Sequence, residues 1–450
     1  MNLTKEQECV VDAVRRGHNV LVTGPGGTGK TELIKHLNTL KNELLKPDKT
    51  LGVTAMTGAA AVLIQGQTLH SYLGVGLAHG NVDCVVKRVI NTGYAPVLRK
   101  LQILIIDEVS MLSAELFDKL EAVMRKIRRD ERLFGGVQLV LSGDFLQLPC
   151  IDGKFCFESN TWNTCIPKNY QFHLNIVFRQ DNNMFQDILN KARFGNIEML
   201  DIDYIKSNTR PKISGHHRKE PFSQSKETEK TMQAEADNSQ RFYQNLSVKP
   251  TVIYCRNVDV NQINTTKLAK LPVQQVYKYV TKIRWLQKKH ISQFKPTELF
   301  LSKGAQVMLN VNINVKDCLV NGSRGVVVGF EKNTTGKVVP KVRFIHNKHP
   351  ENVYLIDYHT YEMTNSKYDK PVAKVTCIPL KLAYAVTVHK SQGMTLDCAY
   401  IDFKGVFEYG QAYVALSRIK SLENSRIENL TKEAFRAHPK ALAFYENKTF

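Results

Sequence analysis

Apolar and polar positions follow a regular order over roughly the first 200 residues of the chain. Short apolar runs alternate there with stretches of helical periodicity. The runs predicted as strands are Asn19–Thr23, Leu51–Thr54, Leu101–Asp107 and Gln138–Gly143. The first residues, MNLTKEQECVVDAV, read as an amphipathic helix. Strands that alternate with helices are typical of a parallel sheet with crossover helices, so the pattern predicts an α/β fold.

This pattern changes in three later stretches. Residues 74–100 are too irregular for a sheet element and are predicted to form a small excursion. Residues 208–242 are polar, charged and poor in branched side chains, which favours a surface insertion or partial disorder. From Gly325 to about Cys377, short β-rich runs recur with turn signals between them, as in a small β-barrel. The sequence KLAYAVTVHKSQG then resumes a strand and a helix, which predicts that the barrel is inserted in a second α/β domain.

Two stretches between the polar insertion and the β-rich runs carry their own signals. Residues 249–264, KPTVIYCRNVDVNQIN, predict a strand, a turn and the start of a helix. Residues 277–297 mix cations with aromatic side chains. One interpretation is contact with nucleic acid through phosphate pairing and base stacking. The other, which the sequence slightly favours, is an ordinary basic surface helix.

Composition narrows the class of protein. A length of 450 residues favours two to four domains. The chain has 62 Lys and Arg against 42 Asp and Glu, a net charge of +20. Such a charge suits a polyanionic partner, because each neutralised phosphate releases condensed counterions. A basic protein without such a partner is an equally good explanation of the charge alone.

Cysteine usage and the absence of sorting signals bear on the compartment. Nine cysteines without CxxC pairs argue against a disulfide framework or a zinc site and favour a reducing compartment. No apolar run approaches the roughly 20 residues that span a bilayer. The amphipathic start is neither a secretory signal nor a transit peptide. We therefore expect an intracellular protein without a membrane partner, and the sequence does not distinguish nucleus, cytoplasm or a viral replication site.

A glycine-rich segment, GPGGTGKT, lies between a predicted strand and a predicted helix and fits the pattern G-x-x-x-x-G-K-[ST]. The glycines let backbone N–H groups close around a phosphate, and the helix N-terminus adds favourable potential. Lys30 is expected to reach the β- and γ-phosphates, and the Thr31 hydroxyl to contact Mg²⁺. The predicted nucleotide-binding residues of this phosphate loop are Gly24, Pro25, Gly26, Gly27, Thr28, Gly29, Lys30 and Thr31.

Two further segments complete a predicted nucleotide site. The strand in LQILIIDEVSML ends in Asp107 and Glu108, and a buried parallel strand delivers such residues to the ligand crevice. We expect Asp107 to hold Mg²⁺ through its waters and Glu108 to activate the attacking water. Gln147, in the loop of VLSGDFLQLP, is placed to sense the γ-phosphate or orient the water. The sequence therefore predicts an NTPase.

Phosphoryl transfer also requires positive charge on the developing transition state. The candidates are Arg179 in LNIVFRQ and Arg418 in VALSRIK, both far from the phosphate loop in sequence. Most arginines are surface cations, so position alone does not assign them this role.

Taken together, these segments resemble the PIF-type (petite integration frequency) DNA helicases, RecD-like members of superfamily 1B. The matching segments, in the family's order, are GPGGTGKT, TAMTGAAA with GQTLHSYLGVG, LIIDEVSML, FDKLEAVMRKIRRDERLFGGVQLVLSGDFLQLP, LNIVFRQ, GAQVMLNVN, LVNGSRGVVVGF, AYAVTVHKSQGMTLD and QAYVALSRIKS. They cover about four-fifths of the chain, and residues 117–149 are particular to this family. Residues 208–242 and 277–297 have no close match in it.

The resemblance implies two RecA-like parallel-sheet domains of the phosphate-loop NTPase fold, with ATP between them and a small SH3-like β-barrel inserted in the second. It places a first domain, 1A, at residues 1–170, with a wedge excursion, 1B, at about 75–100. A second domain, 2A, comprises residues 171–325 and 378–450, with the polar insertion at about 208–242. The barrel, 2B, comprises residues 326–377.

The resemblance also implies roles for individual residues. Gln7 matches the glutamine that reads adenine, and Arg179 and Arg418 match the arginines that face the γ-phosphate. Gln392 and Gly393 would couple the second domain to the nucleotide. The residues implied as single-strand contacts are Thr57, His70, Thr387 and His389. Such short donors suit phosphate oxygens, which carry no sequence information, and a satisfied structural polar group is the alternative interpretation of each.

The function implied is an ATP- and Mg²⁺-dependent DNA helicase that moves 5′ to 3′ on single-stranded DNA and separates duplexes in replication, repair or recombination. Single-stranded DNA and single-strand/duplex junctions are the expected partners of a monomeric motor; the sequence names no protein partners. An RNA-directed helicase, or a translocase that separates no strands, would use the same motor residues. A nucleotide-switched assembly protein is a third possibility, against which the two in-chain arginines and the second motif-bearing half argue.

Overall fold

A computed structural model describes most of the chain. The described residues are 3–150, 153–209, 251–271, 275–285, 297–311, 313–314, 319, 323–344, 352–364, 371–392, 396, 399–423 and 425–446. Nearly all of the predicted polar insertion at 208–242, the end of the basic aromatic stretch and Gly393 lie outside these residues. Among the residues that are described, every helix is too short or too polar to cross a bilayer.

The strands and helices are numbered in chain order. The strands are β1 Val20–Thr23, β2 Thr50–Ala55, β3 Gln67–Thr68, β4 Leu101–Asp107, β5 Gln138–Gly143, β6 Gln171–His173, β7 Thr251–Tyr254, β8 Tyr277–Val280, β9 Lys282–Trp285, β10 Glu298–Leu301, β11 Gln306–Leu309, β12 Arg324–Lys332, β13 Val338–Phe344, β14 Val353–Leu355, β15 His359–Thr364, β16 Pro371–Cys377, β17 Leu380–Leu382, β18 Ala385–Thr387, β19 Ala399–Asp402 and β20 Ser425–Glu428. The α-helices are α1 Lys5–Arg15, α2 Lys30–Thr39, α3 Lys41–Leu44, α4 Gly58–Leu63, α5 Leu69–Leu73, α6 Val82–Asn91, α7 Ala95–Lys100, α8 Ala114–Arg128, α9 Trp162–Cys165, α10 Asn183–Phe194, α11 Met199–Asn208, α12 Asn257–Ala269, α13 Val388–Ser391, α14 Gln411–Leu416 and α15 Pro439–Glu446.

A six-stranded parallel sheet, the first sheet, has the strand order β3-β2-β4-β5-β1-β6. The four strands predicted here are confirmed to within one residue at each end, and the predicted N-terminal helix is confirmed as α1. Along β4, Ile103 and Ile105 pack in the core beneath α1 and α2, whereas Leu104 and Ile106 pack in the core beneath α8. Because successive side chains point to opposite faces, a strand buried on both faces reads as a continuous apolar run.

The predicted excursion at 75–100 contains the two helices α6 and α7. Val85 and Val89 lie one helical turn apart on α6 and are fully buried in the core beneath α8, which is called the first core below. Other apolar side chains of the excursion are exposed, with Ile90 at 52% and Val97 at 43% exposure. The guanidinium of Arg128 on α8 holds the end of α7 in place by donating to the backbone carbonyls of Leu98 and Leu101, at 2.6 and 2.7 Å.

A second parallel sheet, with the order β18-β7-β19-β20, follows in the chain. The strand, turn and helix predicted for residues 249–264 are confirmed as β7 and α12, and the resumed strand is confirmed as β18. Two helices pack in the core of this sheet, which is called the second core below. They are α10, through Phe185 and Ile188, and α14, through Tyr413 and Leu416.

The β-rich region between β7 and β18 contains five-stranded, three-stranded and two-stranded sheets, with orders β14-β13-β12-β11-β17, β15-β16-β9 and β10-β8. The strands expected between Gly325 and Cys377 are confirmed. One core joins Val327 and Phe344 from that span to Tyr279, Leu301 and Leu380 outside it. Closure of these sheets into a barrel stays a prediction.

The interpretation of the basic aromatic stretch as a surface helix is wrong for residues 277–285. These residues form β8 and β9, which pair with β10 and β16. Tyr277 and Tyr279 alternate with the exposed Lys278 and Val280, and such period-two alternation of more buried and exposed positions favours a strand. A contact with nucleic acid stays a prediction for this stretch.

The last helix, α15, returns to the first sheet. Although it follows the second sheet in sequence, its Ala441 and Tyr445 pack in the first core. Phe444 stacks against Phe157, which also packs on the first core, at 4.5 Å between ring centroids. Helix α15 therefore links the two halves of the chain, which are the first sheet with its helices and the second sheet with its helices.

A buried ion pair joins the first sheet to a helix of the second core. Asp144, the first residue after β5, receives two hydrogen bonds from the Arg193 guanidinium, from Nε at 3.0 Å and from Nη2 at 2.9 Å. Both side chains are at most 1% exposed. The Tyr445 hydroxyl donates to Asp144 at 3.1 Å and accepts from the Phe145 amide at 3.2 Å. Arg193 lies on α10, which belongs to the second core, so this network spans both halves and α15.

Removing the charge of Arg193 should destabilise the fold strongly. Arg193→Met leaves the Asp144 carboxylate buried without its partner, and we expect the free energy of unfolding to fall by about 3–5 kcal/mol. Lys191→Met on the same helix is the matched control, because the Lys191–Asp201 pair leaves Lys191 44% exposed. Its effect should stay within about 1 kcal/mol. Urea unfolding measures both, and equal effects would contradict a structural role for the buried pair.

The same ion pair should make stability depend on pH in the acid range. Burial opposes ionisation of Asp144, but Arg193 and Lys30 outweigh it and hold the pKa of Asp144 below its usual value. Its stabilisation is therefore present above the unfolded pKa of about 4 and is lost as pH falls through the folded pKa. We expect the difference in unfolding free energy between wild type and Asp144→Asn to shrink on acidification below about pH 4. A difference constant down to pH 2 would contradict this.

Candidate functional site

The phosphate loop leaves β1 and enters α2 through glycines with backbone angles that other residues rarely adopt. Gly27 has φ 93° and Gly29, the N-cap of α2, has φ 81°. At Gly24 a Cβ would lie 2.5 Å from the Leu174 carbonyl oxygen, so a side chain does not fit. The sequence thus positions a tight loop directly before a helix N-terminus, as an anion-binding loop requires.

Lys30, the first residue of α2, folds its side chain over this loop. Its Nζ donates to the Gly24 carbonyl at 2.7 Å and to the Pro25 carbonyl at 2.8 Å. Burial lowers the pKa of Lys30 to about 8, although nearby carboxylates oppose the shift. The Thr28 hydroxyl donates to Pro25 at 3.0 Å, and Thr31 lies partly exposed in the first turn of α2. The cation predicted to hold phosphate is therefore bound to the loop itself.

Two carboxylates end β4 beside this loop. Asp107 is 6% exposed, and burial together with the neighbouring Glu108 raises its pKa to about 7. Glu108 has φ 58° and ψ 44°, a left-handed conformation that costs about 1–2 kcal/mol in a residue with a side chain. Its Oε2 accepts from Gln392 Nε2 at 2.9 Å. The second half of the chain therefore contacts the end of the strand directly.

Both predicted arginines reach the phosphate loop. A Cβ placed on Gly26 would lie 3.4 Å from Arg179 Nη1 and 3.7 Å from Arg418 Nη2. Arg179 Nη1 donates to the Ser417 carbonyl at 2.8 Å, and Arg418 Nη2 lies 3.5 Å from Gln147 Oε1. Burial, with repulsion from Arg418, lowers the pKa of Arg179 to about 9, so the guanidinium remains charged at neutral pH.

Gln7 lies at the other end of the loop. A Cβ on Gly29 would lie 2.8 Å from Gln7 Nε2 and 3.6 Å from a ring carbon of Phe178. The Gln7 Oε1 accepts from the Thr4 amide at 3.1 Å in the capping box of α1. Gln7 is 5% exposed, whereas Phe178 is 58% exposed. An exposed aromatic ring thus stands beside the residue predicted to read the base.

Three features of the site were not predicted from the sequence. Phe178 directly precedes Arg179, and an aromatic residue next to an assigned arginine was the available signal. Tyr413 accepts a hydrogen bond from the Gly26 amide at 3.0 Å, and its position in QAYVALSR gave no indication of this contact. The Asp144–Arg193 pair could not be found by local pattern, because its partners are far apart in sequence.

The four predicted DNA contacts lie beside strand ends in the two sheets. Thr57 follows β2 and caps α4 by accepting from the Ala60 amide at 3.2 Å. Thr387 ends β18 and is 5% exposed. His389 Nε2 lies 2.6 Å from Glu408 Oε2. Burial, with repulsion from His79, lowers the pKa of His70 on α5. Thr57 and His389 thus have protein partners, and DNA contact stays a prediction for all four.

Comparison with protein families gives two matches along the chain. The PIF1-like helicase family model matches residues 2–201. The model for the 2B domain of DNA helicase Pif1 matches residues 288–330, which overlaps the start of the predicted barrel.

Individual proteins match nearly the whole chain. This chain is 36% identical to the ATP-dependent DNA helicase PIF1 of Danio rerio over 99% of the present chain, and it spans 64% of the length of that protein. The crystal structure of Pif1 helicase from Candida albicans is 30% identical, with 99% of each chain covered and a TM-score of 0.83. Pif1 helicase from Bacteroides in complex with ADP-AlF3 and ssDNA is 27% identical over 99% of this chain and 97% of that one, with a TM-score of 0.73.

Proposed function

Because the chain belongs to the PIF1-like helicase family, we propose that it is an ATP-driven helicase that moves 5′ to 3′ on single-stranded DNA and separates DNA strands. One observation in the structure supports this proposal independently of family membership. Arg179 and Arg418, from outside the first sheet, both reach Gly26 of the phosphate loop. A nucleotide there would be enclosed by both halves of the chain, so its hydrolysis can change how the halves pack.

The base of ATP binds at the Gln7 end of the loop in this proposal. Gln7 Nε2 and the exposed Phe178 ring both adjoin Gly29. A purine stacked on Phe178 would cover apolar ring surface and present its polar edge to the Gln7 amide. The 58% exposure of Phe178 supports this role, because a large exposed aromatic next to a polar cleft favours a ligand contact.

The phosphates bind along the loop, and the residues present fit a magnesium ion beside them. Lys30 would exchange the Gly24 and Pro25 carbonyls for phosphate oxygens. Asp107 and Thr31 supply the oxygen donors that Mg²⁺ prefers. The repulsion between the buried Asp107 and Glu108, which contributes to the raised pKa of Asp107, suits a divalent cation at this point. Such an ion would neutralise phosphate charge.

Hydrolysis requires an oriented water and positive charge at the γ-phosphate. We assign Glu108 as the base and Gln147 as the group that orients the water. Arg179 and Arg418 would stabilise the developing charge from the second half of the cleft. Gln392, through its bond to Glu108, links the base to the second sheet. Together with Gly393, the next residue in sequence, it would couple the second half of the chain to the nucleotide.

DNA would lie across both halves of the motor. Thr57 and His70 follow neighbouring strands of the first sheet, and Thr387 and His389 lie at one strand end of the second. Together with the net charge of +20, these donors support sequence-independent binding to phosphates. The excursion at 75–100 and the β-rich region would guide single-stranded DNA and single-strand/duplex junctions past a monomeric motor.

A strand-displacement assay with four duplexes tests this function. DNA and RNA duplexes, each with a 5′ or a 3′ single-stranded tail, are offered with ATP and Mg²⁺ to the wild type and to Lys30→Ala. We expect wild type to separate the 5′-tailed DNA duplex and Lys30→Ala to separate none, because the variant lacks the phosphate-binding cation. Preferred separation of 3′-tailed or RNA duplexes, or activity in Lys30→Ala, would contradict the proposal.

Glu108→Gln should separate nucleotide binding from hydrolysis. The amide keeps the size of Glu108 and can still accept from Gln392, but it does not take up the water's proton. We expect ATP affinity close to wild type and turnover lower by about 10²–10⁴. Single-stranded DNA should remain bound in the presence of ATP.

Equilibrium ATP binding, DNA binding with ATP present and steady-state turnover, measured on one preparation, check this. Glu115→Gln is the matched control, since that side chain is 85% exposed. Lost ATP binding in Glu108→Gln would make Glu108 a metal-binding or structural residue, and near-normal turnover would mean that another group is the base.

A further inference from the structure

A buried tyrosine from the second half of the chain contacts the phosphate loop. Tyr413 lies on α14 with 2% exposure, and its ring packs in the second core. Its hydroxyl oxygen accepts a hydrogen bond from the Gly26 amide at 3.0 Å. That amide belongs to the loop whose N–H groups hold phosphate oxygens in the proposed function. The tyrosine oxygen therefore bonds to a donor that nucleotide would also use.

Other groups of the cleft are likewise paired with protein atoms. Lys30 bonds to loop carbonyls, Gln392 bonds to Glu108, and Arg179 bonds to the Ser417 carbonyl. Most of these bonds involve a charged group with an assigned role in hydrolysis. The bond from Gly26 to Tyr413 differs, because it joins a neutral amide to a neutral phenol with no part in the chemistry. Its contribution can therefore be removed without altering the proposed catalytic groups.

The surroundings of Tyr413 allow the bond to open. A cavity of about 200 Å³ is lined by Pro25, Gly26, Tyr413 and Ser417 together with Arg193 and residues of α10. The phenol stays protonated, since burial raises the pKa of Tyr413 to about 12. A neutral hydroxyl beside an open space can give up the Gly26 amide without leaving a buried charge behind.

We propose that the Tyr413 hydroxyl is a competing ligand of the phosphate loop. It holds the Gly26 amide when no nucleotide is bound, and an incoming phosphate oxygen must displace it. The hydroxyl thereby weakens nucleotide binding and speeds ADP release. This rests on the proposed function, in which ATP binds at that loop, and it makes Tyr413 a positioning residue that sets nucleotide affinity.

Tyr413→Phe tests the proposal by deleting one oxygen and keeping the ring. Without the competitor, the part-buried Gly26 amide has no protein partner until nucleotide arrives, so we expect ADP to bind about tenfold more tightly. Stopped-flow displacement of a fluorescent ADP should show release slowed by a similar factor. A structural role alone would lower the thermal unfolding midpoint without tightening ADP binding.

Tyr400→Phe is the matched control. Its hydroxyl donates to Glu428 in the second half, away from the loop, so ADP affinity should equal that of wild type. Unchanged or weaker ADP binding in Tyr413→Phe would overturn the proposal. So would loss of cooperative unfolding, since the hydroxyl would then be structural. If wild type bound no ADP, or if Lys30→Ala bound it as well as wild type, the proposed function would fail, and this inference with it.

Discussion

The buried pair between Asp144 and Arg193 is the interaction on which the rest of the structure depends. The residues proposed for the nucleotide site come from both halves of the chain, and they form a site only if the two sheets are held in one relative position. Asp144 directly follows a strand of the first sheet near Lys30, and Arg193 lies on a helix of the second core. Tyr445, from the returning C-terminal helix, completes the network. Because neither charge is stable alone in this setting, separating the sheets here is unfavourable, and Arg179 and Arg418 are kept near the phosphate loop.

A cleft held in this way still has to respond to a ligand. Several of its polar groups bond across the two halves, such as Gln392 to Glu108 and Gly26 to Tyr413. In the proposed function, nucleotide exchanges the Gly26–Tyr413 bond and the bonds of Lys30 to the loop carbonyls for bonds to phosphate, so the net free energy of binding is a small difference between two bonded states. A motor needs nucleotide-bound and nucleotide-free states of similar free energy, because very tight nucleotide binding in one state would leave no free energy to move the two halves. The strained backbone at Glu108 places a carboxylate at the point where the exchange occurs.

The sequence predicts those parts of this arrangement that are local in the chain. Apolar runs such as 101–107 specify the strands of the first sheet, and the glycine spacing of GPGGTGKT specifies the phosphate loop. The positions of Arg179 and Arg418 beside Gly26 followed only from family resemblance. Contacts of Tyr413, Phe178 and Arg193 depend on how distant segments pack, which no local pattern records. The interpretation of residues 277–285 as a helix is wrong because more buried and exposed side chains alternate along β8 and β9 with the period of two that a strand requires.

The rate of ATP hydrolysis, measured with and without single-stranded DNA on one preparation, tests most directly whether this cleft is a DNA-driven motor. Single-stranded DNA that bridges the strand ends of both sheets should favour the arrangement in which Arg179 and Arg418 face the γ-phosphate. We therefore expect slow hydrolysis by the protein alone and a marked rise on addition of single-stranded DNA of any sequence. A rate that is the same with and without DNA, at concentrations where DNA is bound, would contradict the coupling of the two sheets through the nucleotide.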